Sequence, residues 1–243
     1  MKKSITVCVL ILSLFILTHN SQGYTIIDNY WGANDHGYGD IVGSSAYFDI
    51  SKMEVNYNGG ILTVDIYSRY FDNIGIYSTS LGDLFISTNG WNPYGTPPYL
   101  LDNASNGESW EYVLVLDNHN ATSGNLNLYK ISDGGTIILS YAPSGYIRRD
   151  GQEVLFNPTG NSIATGIWAI YGLATSSDTD DYLRFMISNT NWGGGSPTAF
   201  HWAMTCANDT IEGSGPVPEP ATMLLLGSGL IGLAGFARKK FKK

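Results

Sequence analysis

Between residues 61 and 67 apolar and polar side chains alternate. Leu62, Val64 and Ile66 fall on one side of an extended chain, and Thr63, Asp65 and Tyr67 fall on the other. A period of two residues is the mark of a strand with one buried face. Similar runs occupy 84–87, 110–116, 126–131, 136–141, 163–173, 182–187 and 198–206. Between them lie turn clusters such as Asn58-Gly59-Gly60, Ser132-Asp133-Gly134-Gly135 and Gly193-Gly194-Gly195. Asn and Gly accept the positive φ that tight turns require. No segment of this middle region carries a capped 3.6-residue apolar stripe. The pattern predicts an all-β domain over 24–212, a two-sheet sandwich of jelly-roll or lectin-like form.

The two ends break this pattern. Met1-Lys2-Lys3 is a short basic stretch, 5–17 is an uninterrupted run of 13 mostly apolar residues, and Ser21-Gln22-Gly23 supplies small residues at −3 and −1. This arrangement reads as a secretory signal peptide over 1–23, cleaved between Gly23 and Tyr24. At the other end, 213–220 has linker composition and contains Val217-Pro218-Glu219-Pro220. Residues 221–237 carry no charge, just enough for one transmembrane helix, and Arg238, Lys239, Lys240, Lys242 and Lys243 follow as a basic stop-transfer tail. Basic residues at both ends keep those ends cytoplasmic, so the middle is expected to be exported.

Charge narrows the partners of that middle. Residues 24–216 hold 20 acidic and 6 basic side chains, a formal net charge of −14. Nucleic acid and anionic lipid both require a basic face, so neither is an expected partner of this region. Cys206 is the one cysteine left after signal removal, which precludes an internal disulfide there.

Catalytic signatures are missing: there is no G-x-S-x-G, H-E-x-x-H, C-x-x-C or P-loop. The expectation is a non-enzyme with no catalytic residues and no cofactor. His201 and Cys206 are five apart on an expected strand and so face opposite ways, while Phe200, Trp202, Met204 and Cys206 share a core-like face. Asp178, Asp180 and Asp181 form an acidic turn that reads first as a solvated turn and only second as a calcium site. The stretch from Asp102 to Gly107 fails as a calcium loop, with Ala104 at position three and Val113 at position twelve. Trp110, Trp168 and Trp202 fall within strand patterns and read as core. Trp31, Trp91 with Tyr94 and Tyr99, and Trp192 lie in Gly-, Asn- or Pro-rich loops, where flat rings beside amides and carboxylates suit glycan contact.

The tail carries a resemblance. Val217-Pro218-Glu219-Pro220, the short apolar segment with Gly227-Ser228-Gly229-Leu230, and Arg238-Lys239-Lys240 together resemble a PEP-CTERM sorting domain. The resemblance implies recognition by exosortase, a membrane-embedded cysteine protease-transpeptidase of Gram-negative bacteria. It further implies an inner-membrane-anchored precursor cut near Pro218-Glu219-Pro220, then release to the cell surface or an exopolysaccharide-rich biofilm matrix. Pro218 and Pro220 disfavour helix and leave Glu219 on extended, protease-accessible backbone. The middle, from Asp28-Asn29-Tyr30-Trp31-Gly32 to Phe200-His201-Trp202-Ala203-Met204, looks like the ectodomains such proteins carry, which implies no particular activity. Three readings remain open: a non-enzymatic matrix protein associated with polysaccharide, a lectin-like adhesin, and a glycoside-active enzyme.

Overall fold

A computed structural model of the chain describes residues 22–30, 41–142, 149–173, 181–188, 190, 192 and 197–215. Their strands are β1 (Gln22–Ile27), β2 (Ile50–Asn58), β3 (Ile61–Ser68), β4 (Leu84–Ser87), β5 (Tyr112–Leu116), β6 (Ser123–Lys130), β7 (Gly135–Leu139), β8 (Glu153–Pro158), β9 (Ala164–Tyr171), β10 (Tyr182–Ser188), β11 (Ala199–Ala203) and β12 (Thr210–Ser214). Helix is confined to single turns such as Ser45–Phe48. The all-β expectation holds. Among the described residues no helix is long and apolar enough to cross a membrane. The expected span at 221–237 and most of the expected signal peptide lie outside the described residues.

In place of two separate sheets, one ten-stranded antiparallel sheet runs β1-β2-β3-β10-β9-β6-β5-β4-β11-β12, and β7-β8 forms a detached hairpin. Twist accumulates across so many strands until the ends of the sheet approach each other. Here β12 returns to lie beside β1 and β2, leaving the barrel nearly closed. Glycine makes that approach feasible. A Cβ on Gly213 would stand 2.7 Å from Ile26 Cγ2, and one on Gly215 would collide with the Tyr24 ring. The tightest hairpin was legible in advance: Asn58 pairs with Ile61 across Gly59 (φ 60°) and Gly60 (φ 81°), the doubly positive turn that two glycines favour.

Two strands reach past the expected ends of the domain. Gly213 and Ser214 belong to β12, so the sheet continues past 212 into the expected linker. Gln22 and Gly23 pair with Tyr57 and Asn56, so the expected cleavage point between Gly23 and Tyr24 falls inside β1.

Strand alternation sorts side chains into two cores. Inside the rolled sheet, Leu62, Val64 and Ile66 meet Leu183, Phe185 and Ile187, together with Leu114, Trp168, Phe200, Trp202, Met204 and Cys206. Each large apolar side chain buried this way contributes on the order of 1.5–3 kcal/mol. On the outer surface of β4, β5 and β11, Phe85, Val113 and Ala199 pack against Trp110 and against Phe156 of the β7-β8 hairpin. β4 is therefore buried on both faces. That segment of sheet together with its hairpin makes a local two-layer arrangement.

Asp83 joins the layers. Its Oδ1 accepts from the Leu116 backbone N–H (3.1 Å) and lies 2.7 Å from His119 Nε2, while its Oδ2 accepts from the Phe156 N–H (2.8 Å). Its own N–H donates to the Val154 carbonyl (2.9 Å). Burial pushes the Asp83 carboxyl up, against the opposing pull of His119 and the two backbone donors. Asp83→Ala would orphan two buried strand N–H groups, each worth about 1–3 kcal/mol. The expected result is a loss of about 2–4 kcal/mol in urea unfolding, with Asp83→Asn milder. A loss below about 1 kcal/mol for Asp83→Ala would show that Asp83 does not hold the hairpin to the sheet.

Candidate functional site

β11 and β12 form a hairpin in which His201 and Glu212 are direct cross-strand partners. Both point away from the main core, because Phe200, Trp202 and Ile211 occupy the inward positions. The β7-β8 hairpin covers this outward face and seals the imidazole from solvent. His201 Nε2 lies 2.8 Å from the Glu153 carbonyl oxygen, and Nδ1 lies 2.8 Å from Glu212 Oε2. A carbonyl only accepts, so Nε2 carries a hydrogen and the remaining proton is shared between Nδ1 and Glu212. Glu212 Oε1 accepts the Trp91 indole N–H at 2.7 Å.

Burial of the imidazole alone would lower the His201 pKa. The hydrogen bond to Glu212 and the charges of Glu153 and Glu212 outweigh it, and the net shift is upward. Glu212 is raised by burial, opposed by His201 and Trp91. Glu153, which accepts the Trp110 indole N–H at 3.2 Å, is pushed up to about 7, again chiefly by burial.

Glu212 also lines a groove of about 690 Å³ at the seam where β1 and β12 meet. The groove combines Ile26 and Ile27 of β1, Tyr30 just beyond it, Trp91, Pro98 and Tyr99 of the β4-β5 connection, and Glu212 to Ser214 of β12. The Trp91 and Tyr99 rings stand edge-to-face, with centroids 5.2 Å apart at 72°, and Tyr30 approaches Tyr99 at 6.3 Å. Tyr99 has φ 58°, a left-handed conformation that costs a bulky residue about 1–3 kcal/mol. Contacts to both neighbouring rings and the bond from its N–H to the Thr96 carbonyl (2.8 Å) hold it there. Beneath the rings, the Tyr30 hydroxyl donates to Asp102 Oδ2 at 2.8 Å, and Asp102 Oδ1 accepts the Tyr94 N–H at 2.8 Å. Asp102 thus fastens the aromatic loop to the chain after β1.

A second cavity of about 390 Å³ lies on the other side of Glu153, lined by Glu108, Trp110, Ile137 and Leu139. Glu108 is raised there mainly by burial.

Of the residues expected to meet a glycan, Trp91 forms a wall of the seam groove. Tyr94 is adjacent and 50 % exposed but contributes only its backbone to the network. Trp192 is 4 % exposed and stands edge-on to Tyr112 in the main core, which removes it from any surface site. Trp31, Asp178 and Asp180 lie outside the described residues, as do Val217 to Pro220 and the basic tail. Asp181 is fully buried, immediately before β10. Among the described residues no group of three or more acidic, His or Cys side chains is placed to hold a metal. Tyr99, expected beside Trp91, does line the groove, whereas Tyr30, Glu212, His201 and Glu153 carry no sequence motif that marks a site. The one local signal was the alternation of Thr210-Ile211-Glu212, which marks a strand that the following Gly and Ser disguise.

Glu153, His201 and Glu212 all bind protons more tightly in the folded protein than in the unfolded chain. The fold therefore holds extra protons from the ordinary carboxylate range up through about 7, and stability falls as pH rises across that window. Urea unfolding is expected to show lower stability at pH 8 than at pH 5. Glu153→Gln should remove about 1–3 kcal/mol of that decline. An unchanged slope in Glu153→Gln would contradict the assignment.

No match to a curated protein or to a solved structure was found for the chain. Residues 216–239 match the PEP-CTERM protein-sorting motif, which begins two residues after β12 ends and marks the chain as an exported protein consistent with an exosortase substrate.

Proposed function

We propose that this is an exosortase-processed protein of the cell surface or extracellular matrix whose β-domain holds extracellular polysaccharide in the seam groove without cleaving it. The observation that carries this reading is the convergence of Tyr30, Trp91 and Tyr99 on one groove floored by the Glu212 carboxylate. A pyranose ring has apolar C–H faces that pack on aromatic rings and equatorial hydroxyls that carboxylates and backbone groups can bind. β1 and β12 are the two ends of the sheet, so each adds unpaired edge amides or carbonyls along the seam. In this reading the lectin-like and matrix-associated possibilities become one: a binding domain delivered by a sorting tail, in the envelope of a Gram-negative, polysaccharide-producing cell.

Calorimetric titration of the protein with purified oligosaccharides from the producing strain's own matrix tests the binding. The expected dissociation constants are micromolar to millimolar, with Trp91→Ala about tenfold weaker and Tyr94→Ala unchanged. Equal loss in both variants, or no binding at millimolar sugar, would refute the groove. Mass spectrometry of the extracellular protein tests the sorting: its C-terminal peptide is expected to end before Arg238. Recovery of Lys242-Lys243 from released protein would exclude processing.

The glycoside-active reading has one observation in its favour, Glu153 titrating near 7 in a cavity shared with Glu108. Release of reducing sugar from matrix polysaccharide that vanishes in Glu153→Gln would favour it over the binding reading.

A further inference from the structure

Resting on the polysaccharide-binding reading, we infer that the seam groove selects a sugar bearing a protonated amine, an unacetylated amino-hexose, over neutral sugars and uronic acids. The walls are electron-rich. Trp91 and Tyr99 meet at 72°, which presents a corner of aromatic surface rather than a flat platform, and Tyr30 closes the side toward β1. A cation held against aromatic faces gains about 0.5–2 kcal/mol, more as water is excluded. A neutral ring gains the apolar contact without that term.

The local field has the same sign. Glu212 lies just beneath the groove wall, its side chain almost wholly buried, and burial together with the Glu212 and Asp102 carboxylates raises the Tyr30 hydroxyl. The facing cation is the His201 imidazole, and it is already engaged by Glu212 on one nitrogen and the Glu153 carbonyl on the other. Among the described residues no lysine or arginine lines the groove, and residues 24–216 carry a formal charge of −14. A uronate carboxylate would enter this field with nothing to neutralise it. An ammonium group is drawn by the Glu212 carboxylate beneath the wall and stacks its C–H neighbours on Trp91.

The test is calorimetry at pH 6 on the full chain in detergent micelles, against three oligomers of equal length: glucosamine, N-acetylglucosamine and galacturonic acid. Choline serves as an ammonium without a sugar. The expected result is that the free-amine oligomer binds about 3- to 30-fold tighter than the acetylated one, following the cation–aromatic gain, with no uronate binding. Tyr99→Leu, which keeps an apolar side chain but removes the ring face, should weaken both oligomers and erase most of the preference between them. Glu212→Gln, which removes the charge but keeps a hydrogen-bonding side chain for His201 and Trp91, should weaken the free-amine oligomer more than the acetylated one. Equal affinity for the free and acetylated oligomers, or stronger uronate binding, would overturn the amine assignment and leave polysaccharide binding intact. Binding of none of the oligomers overturns both readings. Choline binding without amino-sugar binding also overturns both, since it assigns the aromatic corner to a different ammonium compound.

Discussion

The His201 imidazole has no contact with water, and both of its nitrogens are engaged across strand boundaries. One bond runs to the neighbouring strand β12 and the other to β8, in the hairpin that covers the sheet. Removing either partner would strand a buried polar or charged group, a loss of about 3–5 kcal/mol for an ion pair broken on one side. Each of the surrounding features depends on this ring. Glu212 points outward because its neighbour Ile211 points into the main core, and His201 and Trp91 fix the position of its two oxygens. Glu153 begins β8 where it does because its carbonyl must meet Nε2. The same contact therefore secures the hairpin, orients the carboxylate and supports the indole that walls the groove.

The groove exists because the barrel does not quite close. A sheet whose end strands paired fully would present a continuous ladder and no seam. Here Gly213 of β12 and Gly215 just after it allow the close approach to Ile26 and Tyr24 of β1. Aromatic residues from the β4-β5 connection then roof the gap, tied down through Asp102. This solution handles two liabilities together, since unpaired edges invite aggregation and exposed aromatic loops invite collapse. Surface ion pairs contribute little by comparison. Lys52–Glu54 is more than a third exposed on both sides and belongs to the class worth about 0–1 kcal/mol.

The strands were legible where alternation was clean. The faces of β3, β10 and β11 could be assigned residue by residue, including Trp202 and Cys206 as core. The same period-two signal lay in β2, where Met53 and Val55 point inward, and in the Val154-Leu155-Phe156 run of β8. Polar interruptions weakened the first, and the flanking Gly151 and Pro158 shortened the second. The number of sheets was not legible, because hydrogen-bond continuity between strands distant in sequence, such as β6 and β9 or β4 and β11, leaves no local trace. The site was half legible. Trp91 stood out as a loop aromatic, but loop position alone could not separate it from Trp192, which the fold swallows. Glu212 looked like the edge of a linker, since a glycine needed for close strand approach has the same one-letter code as a glycine needed for flexibility.

That ambiguity bears on how sorting and binding relate. Gly215 lies against the Tyr24 ring, so the last described residue before the sorting match and the first residue after the expected signal cleavage are neighbours in space. All groove residues from β12 precede 216, and those from β1 follow 24. Cleavage at either end therefore leaves Tyr30, Trp91, Tyr99 and Glu212 in place. The bonds that build the groove run from β1 to the aromatic loop and from β11 to β12, within the part of the chain that processing leaves behind. The sorting match and the groove are thus separable parts of the same polypeptide. On the proposed function, the tail governs when the domain is freed, and the seam governs what it holds afterwards.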